Sequence, residues 1–267
     1  MQIFTKFRIY LRDWANKLCG TPILSIDYSL SPENKYPTAL QELVDIYFAL
    51  TSQSAEIKEL LGFNPENIIL CGDSAGGSLI IALTLVLNDV RKKIDVKMPK
   101  EIVAIYPLTL LRLNPSPSRI FTLFDTFLTV GVVLCVADAY SRIVNCDLDF
   151  AQNDSADFNK EKVWYRREIF ERRLQEINKM AECAYLSPLL YEDFNSLNDV
   201  GLSIVVGEFD PLLDDGVELI KRWKGKKQLD VVENLTHGFL YFKAISKEAN
   251  EACELALQKI IQVCSAI

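Results

Sequence analysis

The chain has 267 residues, which is long enough for one large domain with a substantial apolar core or for one domain that carries an insertion. Its net charge of −7 and the absence of a long Lys/Arg block argue against nucleic acid as a main partner. The seven cysteines are an odd number without a Cys-x-x-Cys pair, which favours free thiols in a reducing compartment over a disulfide framework or a zinc site.

No targeting or membrane-spanning segment is predicted. The N-terminus carries charges where a signal peptide would need its apolar core. The most apolar later run, Phe127–Ala137, is bounded by Asp125 and Asp138 and is too short to span a bilayer. We therefore expect a cytoplasmic protein with no transmembrane segment.

Apolar runs alternate with amphipathic stretches through the first part of the chain, as is typical of strands followed by helices. The elements predicted there are helix Ile3–Leu18, strand Pro22–Tyr28, helix Thr38–Leu50, a short helix around Ala55–Leu61, strand Asn67–Cys71, helix Ser78–Val90 and strand Glu101–Pro107. The alternation stops near residue 112 and resumes with strand Leu202–Val206, helix Pro211–Trp223, strand Leu229–Val232 and a terminal helix near Leu240–Val263.

This alternation predicts an α/β protein whose mostly parallel sheet is flanked by helices. The helical or irregular block at 112–182, which includes a charged helix over Val163–Met180, is interpreted as an inserted cap. The main domain would then consist of residues 1–111 and 183–267. Apolar residues of the cap could form an acyl-binding wall or a lipid-surface helix, or the segment could simply be a cap helix packed on the domain. They are Phe121, Leu123, Phe124, Phe127 and Leu128.

Ser74 lies in Gly72–Gly77, a glycine-rich turn between a predicted strand and a predicted helix. A serine in such a tight turn resembles a nucleophile elbow, in which the backbone is strained and only small flanking residues avoid a clash. The helix that follows would direct its amide N–H groups towards charge developing on the serine oxygen. The Gly-x-Ser-x-Gly motif by itself recurs by chance in unrelated loops. The interpretation as a nucleophile elbow therefore depends on the position of the motif between a predicted strand and a predicted helix.

His237 is the only histidine of the chain, and a serine nucleophile needs a base to accept its proton. It follows the last predicted strand, at the carboxyl edge of the sheet. A lone histidine is more often a surface or core residue, but its loop position favours a catalytic role.

Asp210 follows the penultimate strand and would orient the histidine. The alternative is an aspartate that only caps the helix after Pro211, and Glu208, Asp214 and Asp215 are nearby carboxylates. The order serine, acid, histidine is that of α/β-hydrolases. No metal-ligand cluster or phosphate-binding loop is evident, so no cofactor is expected.

Several motifs together resemble the hormone-sensitive lipase family, and the animal enzymes most of all. They are Gly72–Gly77, Asp27–Glu33, Asp210–Asp215, His237–Phe239, Tyr10–Ala15, Ala104–Thr109 and Tyr185–Leu190. The resemblance implies an α/β-hydrolase fold, with Ser74 as nucleophile, Asp210 as acid, His237 as base and the backbone N–H of Ala75 as an oxyanion-hole donor. It also implies structural support near the site from Asp27 and Tyr36–Pro37, a cytoplasmic enzyme that cleaves acylglycerols, cholesteryl esters or related lipid esters, and an association with the lipid-droplet surface.

The family's His-Gly-Gly-Gly loop, which supplies further oxyanion donors, is not in this sequence, whose only histidine is His237. We therefore expect a chain that lacks the N-terminal domain and the strand carrying that loop. The alternatives are a catalytically impaired relative that binds a lipid or small ligand in the pocket, and a small-ester carboxylesterase. The residues that bind substrate and the oligomeric state do not follow from the sequence.

Overall fold

The computed structural model describes residues 4–18, 20–112, 116–140, 171, 174–175 and 177–266, with the backbone alone at 4–9. Its centre is a parallel sheet of four strands in the order in which they occur along the chain. The strands are β1 (Ile69–Asp73), β2 (Glu101–Ile105), β3 (Gly201–Gly207) and β4 (Lys227–Val232). Because every pair is parallel, the four carboxyl ends lie at one edge of the sheet. The predicted α/β class is confirmed.

The two central strands are buried along their whole length, whereas β1 and β4 are partly exposed. This difference follows from their sequences, because β2 and β3 are nearly continuous apolar runs that can be covered on both faces. The register pairs Ile105 of β2 with Asp73 on one side and with Val205 on the other. The loops after these strands therefore begin close together.

Helices flank the sheet. They are α1 (Phe4–Lys17), α2 (Thr38–Thr51), α3 (Ala55–Leu61), α4 (Ala75–Val90), α5 (Val130–Tyr140), α6 (Leu213–Arg222) and α7 (Lys247–Ser265). Helix α4 lies against β1 and β2, α2 packs on α4, α6 packs on β3 and β4, and α7 packs on β2 and β3. Trp14 of α1 is almost completely buried in the main core cluster. Among the described residues, none of the helices has the length and apolar character needed to cross a membrane.

The predicted strand Pro22–Tyr28 is wrong. Residues 21–30 have no regular secondary structure, and Leu24 and Leu30 are exposed. A strand is stable only when its backbone pairs with a neighbour, and β1 is an edge strand of the sheet formed by the described residues. The apolar run instead packs Ile26 and Tyr28 against the cluster between α2 and α4.

The terminal helix begins later than predicted. Phe239–Phe242 forms a short 3-10 helix, and α7 starts only after Ser246, whose Oγ accepts a hydrogen bond of 3.1 Å from Ala249 N. A side-chain oxygen at this position satisfies one of the free amides of the first turn and so defines the start of the helix.

The predicted cap is described in part. It contains a short 3-10 helix at Ser118–Leu123 and helix α5, and the described part of 171–180 is helical. Most of the charged helix predicted at Val163–Met180 lies outside the described residues. The division into a domain of residues 1–111 and 183–267 and a cap of 112–182 stays a prediction.

Candidate active site

Ser74 joins β1 to α4 in a turn with the geometry expected of an elbow. Its φ of 50° and ψ of −116° are unfavourable for a residue with a side chain. A Cβ on Gly72 would lie 2.6 Å from the backbone carbon and oxygen of Gly76, so glycine is required at 72. A Cβ on Gly76 would meet nothing within 4 Å, so of these two flanking glycines only Gly72 is needed to avoid a clash.

His237 lies in the loop after β4 and is almost completely buried. Its Nε2 is 2.9 Å from Ser74 Oγ, although 163 positions separate the two residues in the chain. The ring of Tyr106, the residue that follows β2, contacts the imidazole edge-on at a centroid distance of 4.8 Å. The only histidine of the sequence and Ser74 therefore meet at the carboxyl ends of the parallel strands.

Asp210 is fully buried in the loop after β3, and its two oxygens have different partners. Oδ1 accepts a hydrogen bond of 2.8 Å from Leu212 N, which makes a local turn before α6. Oδ2 lies 2.9 Å from His237 Nδ1. Since an ionised carboxylate can only accept, this contact assigns the proton to Nδ1 and leaves the Nε2 lone pair directed at the Ser74 hydroxyl.

The other carboxylates near Asp210 have different partners. Asp214 Oδ2 accepts a hydrogen bond from Ser118 N at 2.8 Å, and Asp215 pairs with the buried guanidinium of Arg119 at 2.5 Å. Glu208 accepts from Asn234 N at 3.0 Å. Of the four acidic residues considered from the sequence, Asp210 is the one that contacts the histidine.

Ala75 is the first residue of α4 and directly follows Ser74. The amides of a helix's first turn have no partner within the helix and carry the positive end of its dipole. Ala75 N–H therefore lies next to the serine, at the position where the family resemblance implies an oxyanion-hole donor. Together, the four residues can transfer a proton from a hydroxyl to an imidazole and stabilise negative charge near that hydroxyl.

A second carboxylate, Asp73, lies behind the elbow and was not predicted as part of the site. It accepts hydrogen bonds from Tyr10 Oη at 3.2 Å and from Tyr106 Oη at 3.4 Å. Burial raises the pKa of Asp73 above its ordinary value, and the two tyrosine hydroxyls and the nearby His237 oppose that rise. Their positions in the sequence could have indicated a place near the site, since Asp73 belongs to the glycine-rich motif and Tyr106 follows a predicted strand.

Asp125 was also not predicted as a residue of the site, because in the sequence it stands out only as the boundary of an apolar run. Its buried carboxylate accepts a hydrogen bond of 3.2 Å from the backbone N–H of His237. These residues are 112 positions apart, and no local pattern connects them. Asp27 and the segment Tyr36–Pro37 were expected to support the site. In the part of the chain that the structure describes, neither forms a hydrogen bond or an ion pair with Ser74, Asp210 or His237, and Tyr36 N donates to Tyr140 O at 2.9 Å. Within the described residues, no group of His, Cys, Asp and Glu side chains is arranged to hold a metal ion.

Comparisons with known proteins point to one family. The model of a family described as having the alpha/beta hydrolase fold matches residues 4–153. Hormone-sensitive lipase of Mus musculus is 42% identical over 132 residues, which cover 49% of this chain and 16% of the lipase. Ethyl acetate hydrolase of Pseudomonas putida is 24% identical over 246 residues, which cover 91% of this chain and 64% of that enzyme.

The fold has solved counterparts. The crystal structure of carboxyl esterase 2 from Tuber melanosporum superposes with a TM-score of 0.72 at 21% sequence identity, covering 97% of this chain and 73% of that one. This likeness concerns the fold alone. The chain spans about a sixth of the length of the mouse lipase and about two thirds of the length of the bacterial hydrolase.

Proposed function

This chain belongs to the α/β hydrolase fold family, and from that premise we propose that it is a serine hydrolase of carboxylic esters. The observation that carries the proposal is the unbroken relay from Ser74 Oγ through both nitrogens of His237 to Asp210 Oδ2, with both contacts at 2.9 Å. Such a relay activates a hydroxyl that would otherwise be a poor nucleophile.

In the proposed reaction, His237 Nε2 takes the Ser74 proton while Oγ attacks the ester carbonyl. Asp210 keeps the imidazole in the required tautomer and stabilises the imidazolium that forms. Ala75 N–H donates to the carbonyl oxygen as it becomes negative. The imidazolium then protonates the departing alcohol, and water activated by the same histidine releases the carboxylic acid from the acyl-enzyme.

We propose lipid esters, such as acylglycerols or cholesteryl esters, as the substrate class. Apolar residues of the predicted cap contact aromatic residues close in the chain to Asp210 and His237: Phe121 meets Phe209 edge-on at a centroid distance of 5.5 Å, and Phe127 stacks on Tyr241 at 5.9 Å. Leu123 and Phe124 are 71% and 79% exposed. Exposed apolar side chains next to the segments that carry Asp210 and His237 fit a long acyl chain, and the likeness to the mouse lipase supports the same class.

The same exposed side chains support the lipid-droplet surface as the place of action. The described cysteines are Cys71, Cys135, Cys183, Cys253 and Cys264, and all of them are free, which fits the cytoplasmic location expected from the sequence.

A small-ester carboxylesterase is the second candidate. It is favoured by the likeness to the bacterial ethyl acetate hydrolase, which extends over nine tenths of this chain. Turnover of p-nitrophenyl butyrate and of emulsified dioleoylglycerol, measured side by side, distinguishes the two, since a lipase prefers the emulsion.

A fluorophosphonate probe tests catalysis itself. We expect it to label Ser74 in the folded protein and to label neither Ser74→Ala nor heat-denatured protein. Labelling at Ser74 together with ester turnover supports the proposal. Folded protein that neither reacts with the probe nor hydrolyses any ester would contradict it and would favour a non-catalytic protein that binds a lipid or small ligand.

A further inference from the structure

Asp125 is a buried carboxylate whose described hydrogen-bond partners are all backbone amides. Oδ1 accepts from Phe127 N and Leu128 N, both at 2.7 Å, and Oδ2 accepts from His237 N at 3.2 Å. Only 4% of the residue is exposed. A carboxylate removed from water is costly unless donors replace its hydration, and three amide donors do so here.

Each oxygen of Asp125 serves a different segment. Oδ1 closes a turn within the predicted cap, between the 3-10 helix Ser118–Leu123 and helix α5. Oδ2 reaches the loop after β4. The carboxylate is therefore a bridge between the cap and the backbone of the triad histidine.

Side-chain packing joins the same two segments. The Phe127 ring stacks on Tyr241 with planes inclined by 6° and meets Phe242 edge-on at 5.4 Å. Gly238, at a φ of 76°, lies against this ring, because a Cβ there would be 3.7 Å from Phe127 Cγ. The residue after His237 thus lies against the turn that Asp125 stabilises.

The loop that carries His237 is also held on the N-terminal side of the histidine, where Phe209 N donates a hydrogen bond of 3.0 Å to Leu235 O. His237 lies between these contacts, in a stretch without regular structure between β4 and the 3-10 helix at Phe239–Phe242. Its imidazole must nevertheless stay within 2.9 Å of both Ser74 and Asp210. Small displacements of such a base are costly, since a misplacement of about 1 Å can lower a rate about a hundredfold.

We infer that Asp125 is a positioning residue for His237, which holds the backbone of the base through its N–H while Asp210 holds the ring through Nδ1. This inference rests on the proposed function of the triad. It also makes the cap a part of the catalytic apparatus, because the turn that carries Asp125 and Phe127 determines where the histidine backbone lies.

Asp125→Asn separates the two roles of the carboxylate. An asparagine keeps one acceptor oxygen for the turn amides of Phe127 and Leu128, but its NH₂ group cannot accept from His237 N–H. Asp125→Ser is the second variant, since a serine hydroxyl can serve the turn and is too short to bridge. Asp214→Asn is the matched control, because it weakens another carboxylate-to-backbone contact, that from Ser118 N, without touching the histidine loop.

The first readout is kinetic, on a soluble p-nitrophenyl ester. We expect Asp125→Asn and Asp125→Ser to lower kcat at least tenfold with little change in KM, and Asp214→Asn to stay within about twofold of the parent protein. If only one of the two Asp125 variants folds, as judged by circular dichroism, that variant decides the test.

The second readout does not require turnover. Since His237 is the only histidine, ¹⁵N-histidine labelling gives one imidazole spectrum. The parent protein should have its proton at Nδ1, and the Asp125 variants should have averaged nitrogen shifts. Parent-like kcat and a parent-like imidazole spectrum in both variants would overturn the inference. An inactive parent protein would contradict the proposed function instead, and the spectrum would still test the positioning.

Discussion

The aromatic ring of Tyr106 meets the imidazole of His237 edge-on, with the ring centroids 4.8 Å apart and the planes inclined by 60°. Tyr106 is fully buried, has a φ of 38°, and donates its hydroxyl proton to Asp73 Oδ2 at 3.4 Å. A residue with a side chain rarely adopts this backbone conformation, and such strain is concentrated at functional sites. Tyr106 thus contacts both His237 and Asp73, the carboxylate that precedes Ser74 in the chain.

The ring of Tyr106 should matter more than its hydroxyl. We expect Tyr106→Phe to retain activity within a few-fold, because the edge contact with His237 and the packing on Phe239 remain. Tyr106→Ala should destabilise the fold by about 3–5 kcal/mol, as for other buried aromatic residues, and should lower kcat further by freeing the imidazole. Urea denaturation and ester turnover measure the two effects. Equal losses in both variants would instead assign the role to the hydroxyl.

Asp210→Asn should abolish most activity without unfolding the protein. The asparagine can present its NH₂ group to Nδ1, which would favour the tautomer with the proton on Nε2 and leave no acceptor for the Ser74 proton. In the serine-protease template the equivalent change lowers kcat about 10⁴-fold. Glu208→Gln is the matched control, since Glu208 lies two positions away and contacts Asn234 N rather than the histidine. Comparable activity of the two variants would argue against Asp210 as the acid.

The two glycines that flank Ser74 should respond differently to alanine. In Gly72→Ala the new Cβ would lie 2.6 Å from the Gly76 backbone, so the elbow cannot close and we expect a strongly destabilised protein. In Gly76→Ala the methyl group meets nothing within 4 Å and replaces glycine in the first turn of α4, so the fold should be retained. Thermal unfolding followed by circular dichroism compares them. A Gly72→Ala protein as stable as Gly76→Ala would contradict the elbow geometry.

Asp73 should make stability depend on pH. Burial raises its pKa above the ordinary value of 3.8, so in the folded state this carboxyl keeps its proton to a higher pH than in the unfolded state. The unfolded state therefore ionises first, and the Asp73 contribution to stability falls as pH rises from about 4 through the raised folded pKa. Tyr10, Tyr106 and His237 face this carboxylate. Tyr28, Cys71 and Tyr241 are further titratable groups that interact with it electrostatically.

Asp73→Asn removes this ionisation, so the unfolding free energy of the variant relative to the parent protein should increase between pH 4 and pH 8. Urea titrations of both proteins across that range measure the difference, which cancels the contributions of the other carboxyl groups. A difference that is constant or that decreases with pH would mean that Asp73 is ionised in the folded state over the whole range.

The sequence by itself determined the alternation that produces a parallel sheet, the glycine-rich turn, and the chain order Ser74, Asp210, His237. Each of these is visible locally, because strand and helix periods and turn residues act over a few positions. Since parallel strands end at one edge, the order also predicted that the three residues would meet. Having a single histidine in the chain left one candidate for the base.

Only the tertiary structure decided the rest. It placed the carboxylate of Asp210, and not that of Glu208, Asp214 or Asp215, against the imidazole of His237. It also left residues 21–30 without a strand partner and brought Asp125 to the histidine backbone. Strand formation needs a neighbour, and a hydrogen bond across 112 positions depends on how two distant segments pack. Local patterns contain neither kind of information, because both depend on the long-range arrangement of the folded chain.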